Sequence, residues 1–283
     1  MNWLILVLLS LLLSGIGAAI NRYILRDEHV YSYSFLFTLL SSFFFIPLML
    51  TEEIVLPQTT EAWLIVLAAG VLWWTVNIIG FMGISKTDVT LSKPLAASKV
   101  VMVFLLSVLV LGEAVTTGKI IGTLLVMAGM LVLTWKKGWF THLRSEGVQL
   151  LLMAAVIMSV VHVLDKYNMA TVSANVYGFL MYFIPAIPLG IMTAFRVPQL
   201  KQTIRNKWKA VLLVAVCYGA MYYFVLQAYR VADINVIFPI LQLASLVTLG
   251  IAYFWLKEKA EFRQRVAGAL LMIIGAVLVT LGA

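Results

Sequence analysis

Lys99 stands eight residues into the apolar run 91–111, about 12 Å along a helix at 1.5 Å per residue. A lysine near the centre of a bilayer helix costs about 2.5–3.5 kcal/mol on insertion scales. Ionisable groups kept at such depth face a cavity or a partner. The chemistry of an ammonium there is to hold an anion. Ala96, Ala97 and Ser98 are small and leave room beside the amine, and Pro94 removes one backbone hydrogen bond nearby. The structural alternative is an ion pair, with Asp165 as one partner. Lys93 lies two residues into the same run, where its stem can snorkel to the interface. It reads as a positive-side anchor or a gating charge.

A second constellation is "VHVLDKY", in which His162 and Asp165 are three residues apart on one helical face. Histidine titrates near neutral pH, so the pair has the chemistry of a proton relay. The competing reading is a hydrogen-bonded pair near a helix end. Three further groups can shape a pocket: Trp74 with Asn77 in "WWTVN", Tyr222 in "YGAMYYFVLQAYR", and the amide of Gln242. Aromatic residues in apolar helices also serve as packing and interface anchors. Glu113, Glu258, Asp88 and Asp233 fall at the ends of apolar runs and read as helix caps. Gly118 and Gly122 form a small-xxx-small step, the signature of close helix packing.

The sequence contains no H-E-x-x-H, no G-x-S-x-G and no pair of aspartates deep within an apolar run, so an enzyme is not expected. The lone Cys217 forms neither an internal disulfide nor a metal cluster, and the histidine in an apolar run has no second ligand nearby. No cofactor and no metal are expected. The absence of G-x-x-x-x-G-K-[ST] argues against ATP as the energy source.

These groups need helices to position them. Of the 283 residues, 63% are hydrophobic and 11% charged, against roughly 25% charged in soluble domains. Such a chain cannot hide its apolar surface in a water-soluble core. Ten runs are long enough to span a bilayer: 3–21, 31–50, 62–83, 91–111, 118–135, 148–166, 174–195, 209–229, 234–256 and 266–283. "MNWLILVLLSLLLSGIGAA" lacks the basic start of a secretory signal and reads as a retained first helix. The connections, including Phe195–Lys209, are too short for a soluble domain, so function must sit among the helices. The net charge of +8 reflects loop asymmetry rather than nucleic-acid binding: 16 of the 20 Lys and Arg fall in the odd-numbered connections or, as Lys93 and Lys209 do, at the span ends that border them. Basic loops stay cytoplasmic. Both termini are therefore expected on the non-cytoplasmic side of a plasma (inner) membrane crossed many times. The acidic loop "TEEIVLPQTTE" agrees.

The chain also repeats itself. At a shift of 145 residues, Asp88 meets Asp233, Pro94 meets Pro239 and Glu113 meets Glu258. One residue further on, Gly122 meets Gly268 and Gly129 meets Gly275. Upstream, "NRY" at Asn21–Tyr23 lies opposite "DKY" at Asp165–Tyr167. Five helices per unit reverse the second unit in the membrane, giving an inverted repeat of the kind secondary transporters use. The expected fold is an all-α integral membrane protein of ten transmembrane helices as two inverted five-helix repeats, residues 1–137 and 148–283, joined by 138–147.

The proline early in each fourth helix and the corners "VLGEAVTTGKIIGTLLVMAGMLVL" and "WLKEKAEFRQRVAGALLMIIGAVLVTLGA" resemble the drug/metabolite transporter superfamily, EamA type. The resemblance covers nearly the whole chain and implies a central cavity lined by helices 1, 3, 4, 6, 8 and 9. Many members are similar in carrying bases in the second-to-third loop, which is acidic here. The expected function is alternating-access transport of a small anionic or zwitterionic metabolite. Lys99, Trp74, Asn77, Tyr222 and Gln242 would bind it; His162, Asp165 and Lys93 would couple protons or gate. The alternative is a proton-coupled exporter of cationic compounds, as in small multidrug resistance proteins. Those depend on an acid in the first helix, and helix 1 here has none. A non-transporting scaffold is the remaining reading. The partners are a small-molecule substrate and the lipid bilayer, with no nucleic acid; whether the chain forms a homodimer stays open.

Overall fold

A computed structural model describes residues 2–25, 27–86, 89–134, 145–255 and 262–283. Among them every regular element is helical. In chain order the helices are α1 (Trp3–Ile24), α2 (Val30–Met49), α3 (Thr60–Ser85), α4 (Val89–Leu111), α5 (Thr117–Thr134), α6 (Glu146–Asn168), α7 (Ala174–Ala194), α8 (Val197–Val231), α9 (Ile234–Leu241), α10 (Ala244–Trp255) and α11 (Phe262–Leu281). Eight stretches are long and apolar enough to cross a membrane, and two shorter apolar helices complete the ten expected spans. Large apolar side chains remain exposed along most helices, for example Leu64, Leu109, Ile191 and Leu270. Lipid tails solvate such side chains without penalty, so outward leucines are expected on a membrane bundle.

Two elements depart from the expected boundaries. The connection Phe195–Lys209 is mostly helix, because α8 begins at Val197 and runs for 35 residues. Lys, Gln and Arg are good helix formers, and Pro198 falls in the first turn, where a missing N–H costs nothing. The added turns are held by Thr203, whose hydroxyl donates to the buried Glu28 carboxylate at 2.7 Å, and by Lys207, which bonds Asp27 at 3.2 Å. The ninth span is broken instead of continuous. Pro239 supplies no N–H. Beyond it the N–H groups of Gln242, Leu243, Ser245 and Leu246 reach back three residues rather than four. The ladder tightens there, and the helix restarts at Ala244.

The chain forms two compact units, and each draws helices from both halves of the sequence. The first comprises Met1–Trp74, Leu164–Val231 and Val247–Leu256; the second comprises Thr75–Val163, Ala232–Leu246 and Lys257–Ala283. In the first, α1 packs on α8, α2 on α7 and α8, and α7 on α8. Phe45 lies against Gly178, Phe35 against Gly190, and Thr193 bonds the carbonyl of Tyr31. Low residue numbers on α2 thus meet high ones on α7: these equivalent helices of the two repeats run antiparallel.

The second unit shows the same relation in its own helices. A Cβ at Gly122 would lie 2.5 Å from the carbonyl oxygen of Gly275, and one at Gly129 would lie 2.6 Å from that of Gly268. The two backbones touch directly, which only glycine permits. Gly122 is the sequence counterpart of Gly268 and Gly129 that of Gly275, so each glycine packs on the partner of the other. A two-fold axis between antiparallel α5 and α11 produces that cross-pairing. The seam around Gly118 and Gly122 is the close packing the sequence suggested, and the antiparallel pairing in both units is what inverted repeats require.

Candidate functional site

The first unit holds a buried acid among tyrosines. Asp165, near the end of α6, is 1% exposed. Its Oδ1 accepts hydrogen bonds from Tyr177 on α7 and Tyr222 on α8, both at 2.9 Å. Tyr182 meets the Tyr222 ring edge-on at 5.6 Å between centroids, and its hydroxyl donates to the carbonyl of Tyr218 at 3.2 Å. The Phe37 ring stands nearly perpendicular to those of both Tyr182 and Tyr218. Edge-to-face packing fixes ring orientation as well as burying area, so the hydroxyls are aimed rather than merely near. One turn on from Tyr218, Tyr222 and Tyr223 diverge: Tyr223 and Gln227 hold Glu52 of the loop after α2. That loop is also pinned at Ser173, through Val55.

In the second unit Lys99 lies within α4, half-buried, and among the described residues its ammonium makes no hydrogen bond or ion pair with protein. Asp165, raised by the sequence as one partner for this lysine, belongs to the first unit, whereas Lys99 belongs to the second. Lys99 is the sequence counterpart of Ala244, the residue at which the broken ninth span restarts. The charged contact that the second unit does make lies at a helix corner. Lys119, 2% exposed, donates to Asp233 Oδ2 at 2.8 Å and to the carbonyl of Ala114 at 3.0 Å. Beside it the Glu113 carboxylate accepts from the N–H groups of Ile234 and Asn235, at 2.7 and 2.9 Å. Glu113 thus caps α9 in place of Asp233, which occupies the N-cap position but gives its carboxylate to Lys119. Both acids are structural, as their place at helix ends suggested; Asp88 and Glu258 lie outside the described residues.

The remaining candidates divide. Trp74 Nε1 is buried with no acceptor among the described residues, which leaves a donor open at the end of the first unit's share of α3. Asn77 falls in the second unit and is engaged. Gln242 turns its amide to the carbonyl of Phe238 at 3.2 Å, satisfying its own broken helix. Tyr222 spends its hydroxyl on Asp165. His162 packs its ring against Phe238 at 4.7 Å, within the second unit, whereas Asp165 belongs to the first. Lys93 is in α4, and its side chain lies outside the described residues. Sequence reasoning missed Tyr177, Tyr182 and the Glu52 contact. The spacing of Tyr218 and Tyr222, four apart on one face of α8, was the available signal.

Each unit of this helical membrane chain is thus built on antiparallel pairs of equivalent helices from the two repeats. Comparison with known families agrees: the model of the EamA-like transporter family matches residues 1–135 and again 145–281. The chain belongs to that family, within the drug/metabolite transporter superfamily, and is a multi-pass membrane transporter. A solved structure described only as "Crystal structure of protein" superposes with a TM-score of 0.75 at 18% identity, covering 99% of this chain and 98% of its own. At that identity the likeness concerns the fold. No curated protein matches the sequence.

Proposed function

We propose that this chain is a secondary transporter that carries a small anionic or zwitterionic metabolite by alternating access, with Lys99 as the substrate's counter-charge. The observation behind this reading is the lysine without a protein partner inside an apolar helix. A desolvated ammonium is costly unless something of opposite charge meets it. A carboxylate or phosphate on the substrate meets that need during each cycle. Trp74, Asn77, Tyr222 and Gln242 keep the substrate-binding roles that the sequence suggested, and the Trp74 indole N–H has no acceptor among the described residues. His162, Asp165 and Lys93 take the coupling or gating roles in this reading.

The test compares wild type with Lys99→Gln in detergent, recording thermal stability against sugar phosphates, organic acids, amino acids and quaternary amines. A ligand that binds only the folded state raises the melting temperature by mass action. The proposal expects an anion or zwitterion to stabilise wild type, and the shift to vanish in Lys99→Gln. Stabilisation by amines alone refutes it and favours export of cationic compounds; an unchanged response in the variant refutes it and makes Lys99 structural.

A further inference from the structure

We infer that the outward face of the first turns of α8, carrying Lys201, Arg205, Trp208 and Lys209, is a binding surface for the headgroup phosphates of anionic lipids. This goes beyond the transport reading and rests only on the chain's spanning a bilayer.

Residues 195–209 include five bases and no acid. The fold sorts the five into two groups. Arg196 and Lys207 are turned to protein. The Arg196 guanidinium lies 4.9 Å from the centre of the Tyr31 ring and donates to the carbonyl of Met192 at 2.8 Å. Lys207 bonds Asp27 and stands 3.7 Å from the centre of the Tyr23 ring. Between these two bases, Thr203 gives its hydroxyl to Glu28. The acids at the end of α1 are thereby engaged on the inward face of α8.

The other three bases face away. Lys201, Arg205 and Lys209 are exposed, and among the described residues no acid pairs with any of them. Four-residue steps set them in one row along the helix. Trp208, 52% exposed, stands in the same row, with the Lys209 ammonium 5.6 Å from its ring.

The row continues into the membrane. Leu212 and Val216 follow Trp208 at the same four-residue step, and both are exposed. Exposed apolar side chains on a spanning helix meet lipid tails. The face that meets tails at Leu212 and Val216 therefore carries the bases in the turns before them. The expected span begins at residue 209, so Arg205 stands about 6 Å and Lys201 about 12 Å beyond its edge. A headgroup layer is about 5–8 Å thick. Lys209 and Arg205 fall within it, and Lys201 lies within a Debye length of it, about 8 Å at physiological salt. Tryptophan is enriched at the same depth, where its ring is half in tails and half in headgroups.

Charge decides the occupant. A guanidinium meets a phosphate through two parallel N–H bonds, and a lysine adds a point charge. Zwitterionic headgroups also carry a phosphate, but their own ammonium cancels its field. A row of bases without an acid selects lipids of net negative charge. An acidic protein segment offers similar charge, but it does not reach the lipid-facing Leu212 and Val216 that continue the row.

The experiment reconstitutes the full chain in phosphatidylcholine vesicles containing phosphatidylglycerol, with bromine on the acyl chains of one lipid or the other, and reads tryptophan quenching. The signal of Trp208 is the difference between each form and the same form carrying Trp208→Phe. At equal mole fraction, wild type should favour brominated phosphatidylglycerol at Trp208 by about fivefold, the worth of one juxtamembrane base against an anionic surface. Salt at about 1 M, where the Debye length is about 3 Å, should shrink that preference. Lys201→Gln, Arg205→Gln and Lys209→Gln together should abolish it, whereas the charge-conserving pair Lys201→Arg and Lys209→Arg should keep it. Equal quenching by the two lipids in wild type overturns the inference and leaves an acidic protein segment as the occupant. A preference that survives the triple exchange overturns it too, as does one lost in the arginine form, since charge is then not what the lipid reads.

Discussion

Removal of the Glu113 carboxylate tests how the second unit is held together. Its two oxygens receive the first free N–H groups of α9 at 2.7 and 2.9 Å, and the residue is only 9% exposed. Glu113→Ala leaves both N–H groups without a partner where water is scarce. A lost cap alone costs about 0.5–2 kcal/mol, and each orphaned buried donor costs about 1–3 kcal/mol. These overlap, since the cap is made of the same two bonds, so the expected loss is about 2–5 kcal/mol. Glu113→Gln retains one acceptor oxygen and turns its NH₂ toward the other N–H. Its loss should fall near the lower end of that range. The assay is equilibrium unfolding in mixed micelles, followed by far-UV circular dichroism with refolding checked. If Glu113→Ala stays within about 0.5 kcal/mol of wild type, the range of ordinary surface substitutions, the cap does not hold α9 and the corner has been misread.

The neighbouring ion pair predicts an asymmetry. Lys119 is 2% exposed while its partner Asp233 is 42% exposed, so Asp233→Asn strands a buried ammonium and Lys119→Met leaves an acid that can reach water. Unfolding measurements should show the first variant less stable than the second; the reverse order refutes the argument. Gly129→Val places a side chain where a Cβ alone would sit 2.6 Å from a backbone oxygen. It should cost several kcal/mol, whereas Gly250→Ala, with open space around it, should behave as wild type by the same assay. Cys217 is buried on α8, so a maleimide should label it in SDS but not in the folded protein.

Spans, repeat and family were legible because the bilayer imposes a crude rule: about 20 apolar residues per crossing. The rule fails where a helix leaves the membrane or breaks inside it. The polar first turns of α8 carry no apolar signal although their propensity is helical, so Val197–Trp208 reads as loop. The break at Gln242 and Leu243 lies in an unbroken apolar run, and Pro239 alone did not foretell it, since Pro47, Pro185 and Pro188 all sit inside continuous helices. At the site, Lys99 stands out because charge is rare in such sequences. Tyr177 and Tyr182 do not, because a tyrosine facing an acid and one facing lipid look alike in sequence. Their partner is fixed by packing between segments far apart in the chain.

The mixing of the two halves within each unit has a consequence for synthesis. Lys119 leaves the ribosome 114 residues ahead of Asp233. At about 5–20 residues per second, the nascent chain carries that ammonium for roughly 6–23 s before its counter-ion exists. The glycine face of α5 waits longer still for α11. Until then the Lys119 ammonium, in the first turn of α5, has only the Ala114 carbonyl and its surroundings to meet it.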